Sequence, residues 1–132
     1  MSSLELEPLE KAVVQLEVGI NLVQQDPDNE LLLDGAIQRF EYTIDLSWKF
    51  LQRYLINGLQ VEQSVIRSKK DLFREAARLE IIDDAESWIS HYEARNATSH
   101  NYNHEIASRV YAQAKLFLPD VKELMEVLKG AN

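Results

Sequence analysis

Apolar residues recur along this chain at alternating spacings of four and three, the period of a helix that buries one face. Leu9, Val13, Leu16, Ile20 and Val23 carry the first such stripe and predict a helix from about Pro8 to Gln25. Pro8 suits the first helical position, where a missing N–H costs nothing. Asp26-Pro27-Asp28 stops the helix, because the residue before a proline is driven out of the helical region. A second stripe, Leu33, Ile37, Phe40, Ile44, Trp48, Leu51 and Leu55, predicts a helix from about Glu30 to Ile56. Asn29 is its expected cap and Asn57-Gly58 its expected end.

Three further helices follow. Ser68 with Asp71 three residues on reads as a capping box. It opens a short third helix that turns Leu72, Phe73, Ala76 and Leu79 inward. A fourth starts near Asp83 or Asp84, carries Trp88, Ile89 and Tyr92, and reaches Arg95. A fifth runs from about Asn103 to Lys129, with Ile106, Val110, Phe117, Val121, Leu124 and Leu128 inward. Pro119 should kink it and Gly130 should stop it. Long helices joined by short loops predict an all-α, up-and-down bundle of four or five helices, one domain over residues 1–132. Phe40, Trp48, Phe73 and Trp88 look too bulky for the interior of one such bundle. That points to a homodimer burying the excess.

Composition removes several function classes. There is no cysteine, hence no disulfide, thiol catalysis or cysteine metal site. Met1-Ser2-Ser3-Leu4-Glu5 shows no secretory signal, and no apolar run approaches the roughly 20 residues of a membrane span. A cytoplasmic protein without membrane contact is the plain expectation. The formal net charge is −8. Residues 1–34 hold eight carboxylates against Lys11 alone, so the rest of the chain is nearly balanced. Arg67, Lys69, Lys70, Arg74 and Arg78 make the third helix the basic part, and a phosphate could still find a positive spot.

Glycine-rich phosphate loops and the H-E-x-x-H and G-x-S-x-G patterns are missing. His91 reads as a surface residue. His100 and His104 have a spacing that binds metal on a continuous helix, but Asn101-Tyr102-Asn103 between them contains the expected helix start. No metal or cofactor is expected. The segment Arg95-Asn96-Ala97-Thr98-Ser99-His100-Asn101-Tyr102 is more informative. Arg95 is a permanent cation that can hold two phosphate oxygens. His100 can carry a proton near neutral pH. At a junction between helices, the two suit in-line attack on a phosphodiester, with RNA supplying its own 2′-hydroxyl nucleophile. Glu41 and Asp45, one turn apart on the second helix, could orient this pair from outside. Otherwise they form surface ion pairs with Lys49 and Arg53.

Arg95, His100 and Tyr102 fit R-x4-H-x-Y, which resembles the signature of the HEPN superfamily. The chain is more specifically similar to the nucleotidyltransferase substrate-binding family, the HepT-like toxin partners of minimal nucleotidyltransferases. The segments that carry this likeness are Phe40–Lys49, Ser68–Ala76, Glu93–His100 and Leu118-Pro119. Arg78-Leu79-Glu80-Ile81-Ile82 departs from it, because the family has a Gly-containing turn there. The resemblance implies a homodimer with two motifs facing across a cleft, and a minimal nucleotidyltransferase as partner. It implies Arg95 and His100 as catalytic residues of a metal-independent endoribonuclease, the toxin of a toxin–antitoxin pair, with Asn96 supporting. Tyr102 would accept adenylyl groups from the partner. Two other readings stay open: a non-catalytic subunit that binds substrate or nucleotide for the partner, and a structural helical dimer.

Overall fold

The computed structural model describes residues 5–131; Met1–Leu4, where no signal was read, and Asn132 lie outside it. The described residues form five α-helices: α1 (Glu7–Gln25), α2 (Glu30–Arg53), α3 (Lys69–Arg78), α4 (Ala85–His100) and α5 (His104–Ala131). Caps fall where the sequence places them. Asn29 accepts from the Leu32 N–H, Ser68 from Asp71, Asp84 from Glu86, and Asn103 from Ile106 at 2.9 Å. Each satisfies a donor that the first helical turn leaves unpaired. A π-turn over Tyr54–Gly58 finishes α2, so the chain leaves the helix at the Asn57-Gly58 step.

α1, α2, α4 and α5 pack in an antiparallel ring. Arg39 Nη1 donates to the Gln15 carbonyl at 2.9 Å and the Thr43 hydroxyl oxygen lies 3.4 Å from that of Ala12, setting α2 against α1 in opposite directions. Tyr111 donates to the Ile20 carbonyl and Lys122 pairs with Glu17, tying α5 back to α1. α3 lies outside the ring, against α4 and α2. The predicted inward residues of α1 are all buried. On the later helices Trp48, Leu79, Tyr92 and Ile106 are only half-buried. Where α1 and α2 approach, Gly19 faces the Cα of Ala36, and Thr43 and Ser47 bury their hydroxyls by donating to carbonyls at 2.6 and 2.7 Å.

Four expectations need correction. Phe40, Phe73 and Trp88 fit inside one protomer, at 0%, 0% and 2% exposure, and of the four bulky aromatics Trp48 alone stays half-buried, so three of them give no argument for a dimer. They interlock edge-on around Phe117, whose ring lies 5.3 Å from Phe40 and 5.5 Å from Trp88, and Phe73 stacks on Trp88 at 5.7 Å. His91 is 1% exposed, not on the surface. It hydrogen-bonds Asp120 through Nε2 at 2.6 Å and Gln113 through Nδ1 at 2.8 Å. Burial lowers its pKa against the opposing pull of Asp120, so the ring is held neutral, donating to the carboxylate and accepting from the amide. α4 does not end at Arg95 but continues to His100. α5 runs as one helix through Pro119 and past Gly130 to Ala131, so Gly130 does not stop it.

The turn after α3 explains the missing glycine. Ile81 N–H bonds the Ala76 carbonyl and Glu80 N–H that of Ala77, a Schellman closure with Glu80 in the position glycine prefers. Glu80 has φ 61°, the left-handed region where a Cβ is unfavourable. The turn shape therefore survives without glycine, at a local cost. Glu80→Gly should stabilise the fold by about 0.5–1 kcal/mol, read as a shift in the urea midpoint at unchanged slope. A loss of stability would show that Glu80 makes a compensating interaction.

Candidate functional site

Arg95 to His100 lie on a helix, not in a loop, and only Tyr102 of the motif falls in the link that follows. Arg95 sits inside α4 and His100 is its last residue. Five residues on a helix turn through about 140° and rise about 7.5 Å. Arg95 and His100 therefore leave α4 on different sides. Asn96 and His100, four apart, share the solvent side, and both are exposed.

Arg95 faces α2. Its Nε lies 3.3 Å from both oxygens of Asp45, and Nη2 is 3.2 Å from Asp45 Oδ2. Nη1 is 3.2 Å from Glu41 Oε2. The guanidinium thus closes a fork on two carboxylates one turn apart, which the four-residue spacing on α2 places side by side. All three side chains are about a quarter to a third exposed. The hydrogen bond to Asp45 is the main cause that raises the Arg95 pKa, against some desolvation, so its charge is permanent. Lys49 and Arg53 make no ion pair with these carboxylates; they lie instead over the rings of Trp48 and Phe50.

Two residues that sequence reasoning missed complete the cluster. The Thr98 hydroxyl donates to Glu41 Oε2, the same oxygen that Arg95 holds, and lies 3.1 Å from the Arg95 carbonyl. Thr98 is three residues after Arg95, so helical spacing alone would have put it on the same face. Tyr102, in the link between α4 and α5, donates its phenol to Asp34. Asp34 continues the acidic row of α2 one step below Gln38 and Glu41, and extending that row was the available signal. Tyr102 is 47% exposed, yet partial burial first and Asp34 second raise its pKa, so the phenol keeps its proton at neutral pH. An open groove of about 570 Å³ runs along this edge, between Leu31, Asp34, Gln38 and Glu41 on α2 and Thr98 and Tyr102 on the other side.

His100 makes no side-chain hydrogen bond among the described residues. His104 opens α5 beyond the three-residue link, so the two histidines do not share a helix. Among the described residues no group of three His, Asp or Glu side chains could hold a metal ion. No helix among them is long and apolar enough to cross a membrane.

The arrangement is a fixed cation, a solvent-facing imidazole and a hydrogen-bonded phenol along one end of α4. The chain as a whole has known counterparts. The chain is 36% identical over 127 residues to the "Probable ribonuclease HepT" of Haemophilus influenzae, covering 94% of this chain and 86% of that protein. A solved Haemophilus influenzae structure, described as revealing the fold of a substrate binding domain of a nucleotidyltransferase, superposes with a TM-score of 0.84 at 33% identity. That match covers 95% of this chain and 99% of the other. A Thermus thermophilus crystal structure matches at a TM-score of 0.72 and 31% identity, over 92% and 96% of the two chains. The family described as "Nucleotidyltransferase substrate binding protein like" matches residues 4–130, and this chain belongs to it.

Proposed function

We propose that this protein is a HEPN-type, metal-independent endoribonuclease that works as a homodimer beside a minimal nucleotidyltransferase, the toxin of a toxin–antitoxin pair. The observation that carries the reading is the division of labour on α4. Arg95 is immobilised by Glu41 and Asp45, while His100 stands free in solvent at the helix end. Preorganised charge and a proton carrier are what phosphodiester cleavage needs. The RNA 2′-hydroxyl attacks phosphorus as the bond to the 5′-oxygen breaks. His100 moves the proton at the attacking or leaving oxygen, and Arg95 faces the charge that grows on the phosphoryl oxygens. Asn96, one turn before His100 on the same side, contacts the strand there. Arg95 and His100 diverge within one protomer, and that supports an active unit of two copies, each supplying groups to a shared cleft. Tyr102, with its exposed phenol, is the acceptor through which the partner silences the enzyme by nucleotidyl transfer.

A second reading has its own support. The charge of Arg95 is already met by two carboxylates, and the adjoining groove carries Asp34 as well. An anionic strand must compete with them, whereas a subunit that only presents substrate to a nucleotidyltransferase need not place phosphate there. Incubating the protein alone with single-stranded RNA and a chelator separates the two, with its mass measured by light scattering. The enzyme reading expects cleavage and a dimer at micromolar concentration. An inert protein that still binds the nucleotidyltransferase tightly would leave the subunit reading standing.

A further inference from the structure

The motif occupies one end of α4; the other end lies under the basic third helix. Lys70 on α3 reaches Glu93 on α4 at 4.0 Å. Glu93 and His100 are seven residues apart, so they share one side of α4 and are separated by about 10 Å along its axis. Beside Lys70, the Lys69 ammonium sits 3.8 Å from the centre of the Trp48 indole, with Lys49 Nζ at 5.6 Å from the same ring. Neither Lys49 nor Lys69 has a carboxylate within ion-pair distance among the described residues. Trp48 is half-buried on α2, one turn past Asp45, so this cluster adjoins the carboxylates that hold Arg95.

In a chain of net charge −8, two unpaired ammonium groups fixed on one indole form a local exception. The ring restrains Lys69 by a cation–π contact, and Lys49, the next residue after Trp48 on α2, lies at the outer edge of the same range. Arg53 and Arg74 add exposed positive charge on the same two helices. Because Lys69 covers the indole, the cluster offers positive charge to a phosphate and not an aromatic face to a base. The separation along α4 corresponds to one or two nucleotides of extended strand.

We propose that Lys49 and Lys69 on the Trp48 ring form a phosphate-binding subsite that holds the RNA backbone on its way to His100. The inference rests on the endoribonuclease reading for its ligand. These lysines are positioning residues: they grip the strand away from the reacting bond. They also answer how so acidic a protein takes an anionic polymer, since most of its negative charge lies on α1 and the start of α2.

The test uses the full-length His100→Ala protein, so that RNA stays intact, and a short single-stranded RNA as probe. Trp88 is 2% exposed, so a change in tryptophan emission reports Trp48. RNA should alter that emission, and Trp48→Phe should abolish the signal. Lys49→Gln/Lys69→Gln should weaken binding about tenfold at low salt and lower the salt slope by about 0.7 per lost phosphate contact. In the cleaving protein, the same pair should raise KM for RNA with kcat at saturation nearly unchanged. RNA binding that leaves Trp48 emission and the salt slope untouched overturns the subsite. So does a Trp48 response to poly-glutamate with none to RNA. If the wild type cleaves RNA while the lysine variant keeps its KM, the subsite fails and the endoribonuclease reading stands. If Trp48 responds to RNA as expected but the wild type never cleaves, the enzyme reading fails and the subsite stands.

Discussion

His100→Ala is expected to cut RNA cleavage by about 10²–10⁴-fold while leaving the folded protein as stable as the wild type. The large kinetic effect follows from removing the proton carrier of the proposed reaction. The small stability effect follows from position. His100 is exposed, ends α4 and has no side-chain hydrogen bond among the described residues, so its removal opens no cavity and strands no partner. RNA binding should persist. Single-turnover cleavage and thermal unfolding, measured on the same preparation, check both halves. Undiminished cleavage by the variant would take His100 out of the mechanism.

Arg95→Ala is expected to lose both activity and stability, and the coupling of the two is its signature. Removing one preorganised charge donor from a developing oxyanion costs about 2.7–4 kcal/mol of transition-state stabilisation, or roughly 10²–10³ in kcat. A loop arginine could be deleted without structural penalty, which is what the sequence pattern alone suggests. The structure reverses that expectation. Without Arg95, Glu41 and Asp45 face each other one turn apart on α2 with no cation between them. Charged hydrogen bonds at partial exposure are worth about 1–2 kcal/mol, so denaturant unfolding should show a loss of that order. Glu41→Gln/Asp45→Asn should recover most of the stability lost in Arg95→Ala and none of the activity. Arg95→Lys should keep part of the stability, because the charge stays, and little activity, because an ammonium cannot close a fork on two groups. A stability of Arg95→Ala equal to wild type would mean the network is solvated and contributes nothing.

The sequence by itself determined the architecture. Five helices, their caps at Asn29, Ser68 and Asp84 and the break at Asp26-Pro27-Asp28 follow from local rules: apolar spacing, capping chemistry and proline geometry act over a few residues. The R-x4-H-x-Y pattern was equally local, and so was the resemblance that it anchored. Helix ends were less legible where no stop signal intervened: nothing between Arg95 and His100 forbids helix, so α4 simply continued. Tertiary structure decided the rest. Whether Glu41 and Asp45 pair with Lys49 and Arg53 or with Arg95 depends on which helix faces α2, a contact 50 residues away in the chain. His91 looked like a surface residue because polarity is its only local signal. Burial was set by Phe117, Gln113 and Asp120 closing over it from α5. Glu80 could occupy a glycine position because two backbone hydrogen bonds of the turn outweigh its local strain. Periodicity says which face of a helix turns inward; only packing says what that face, or its opposite, meets there.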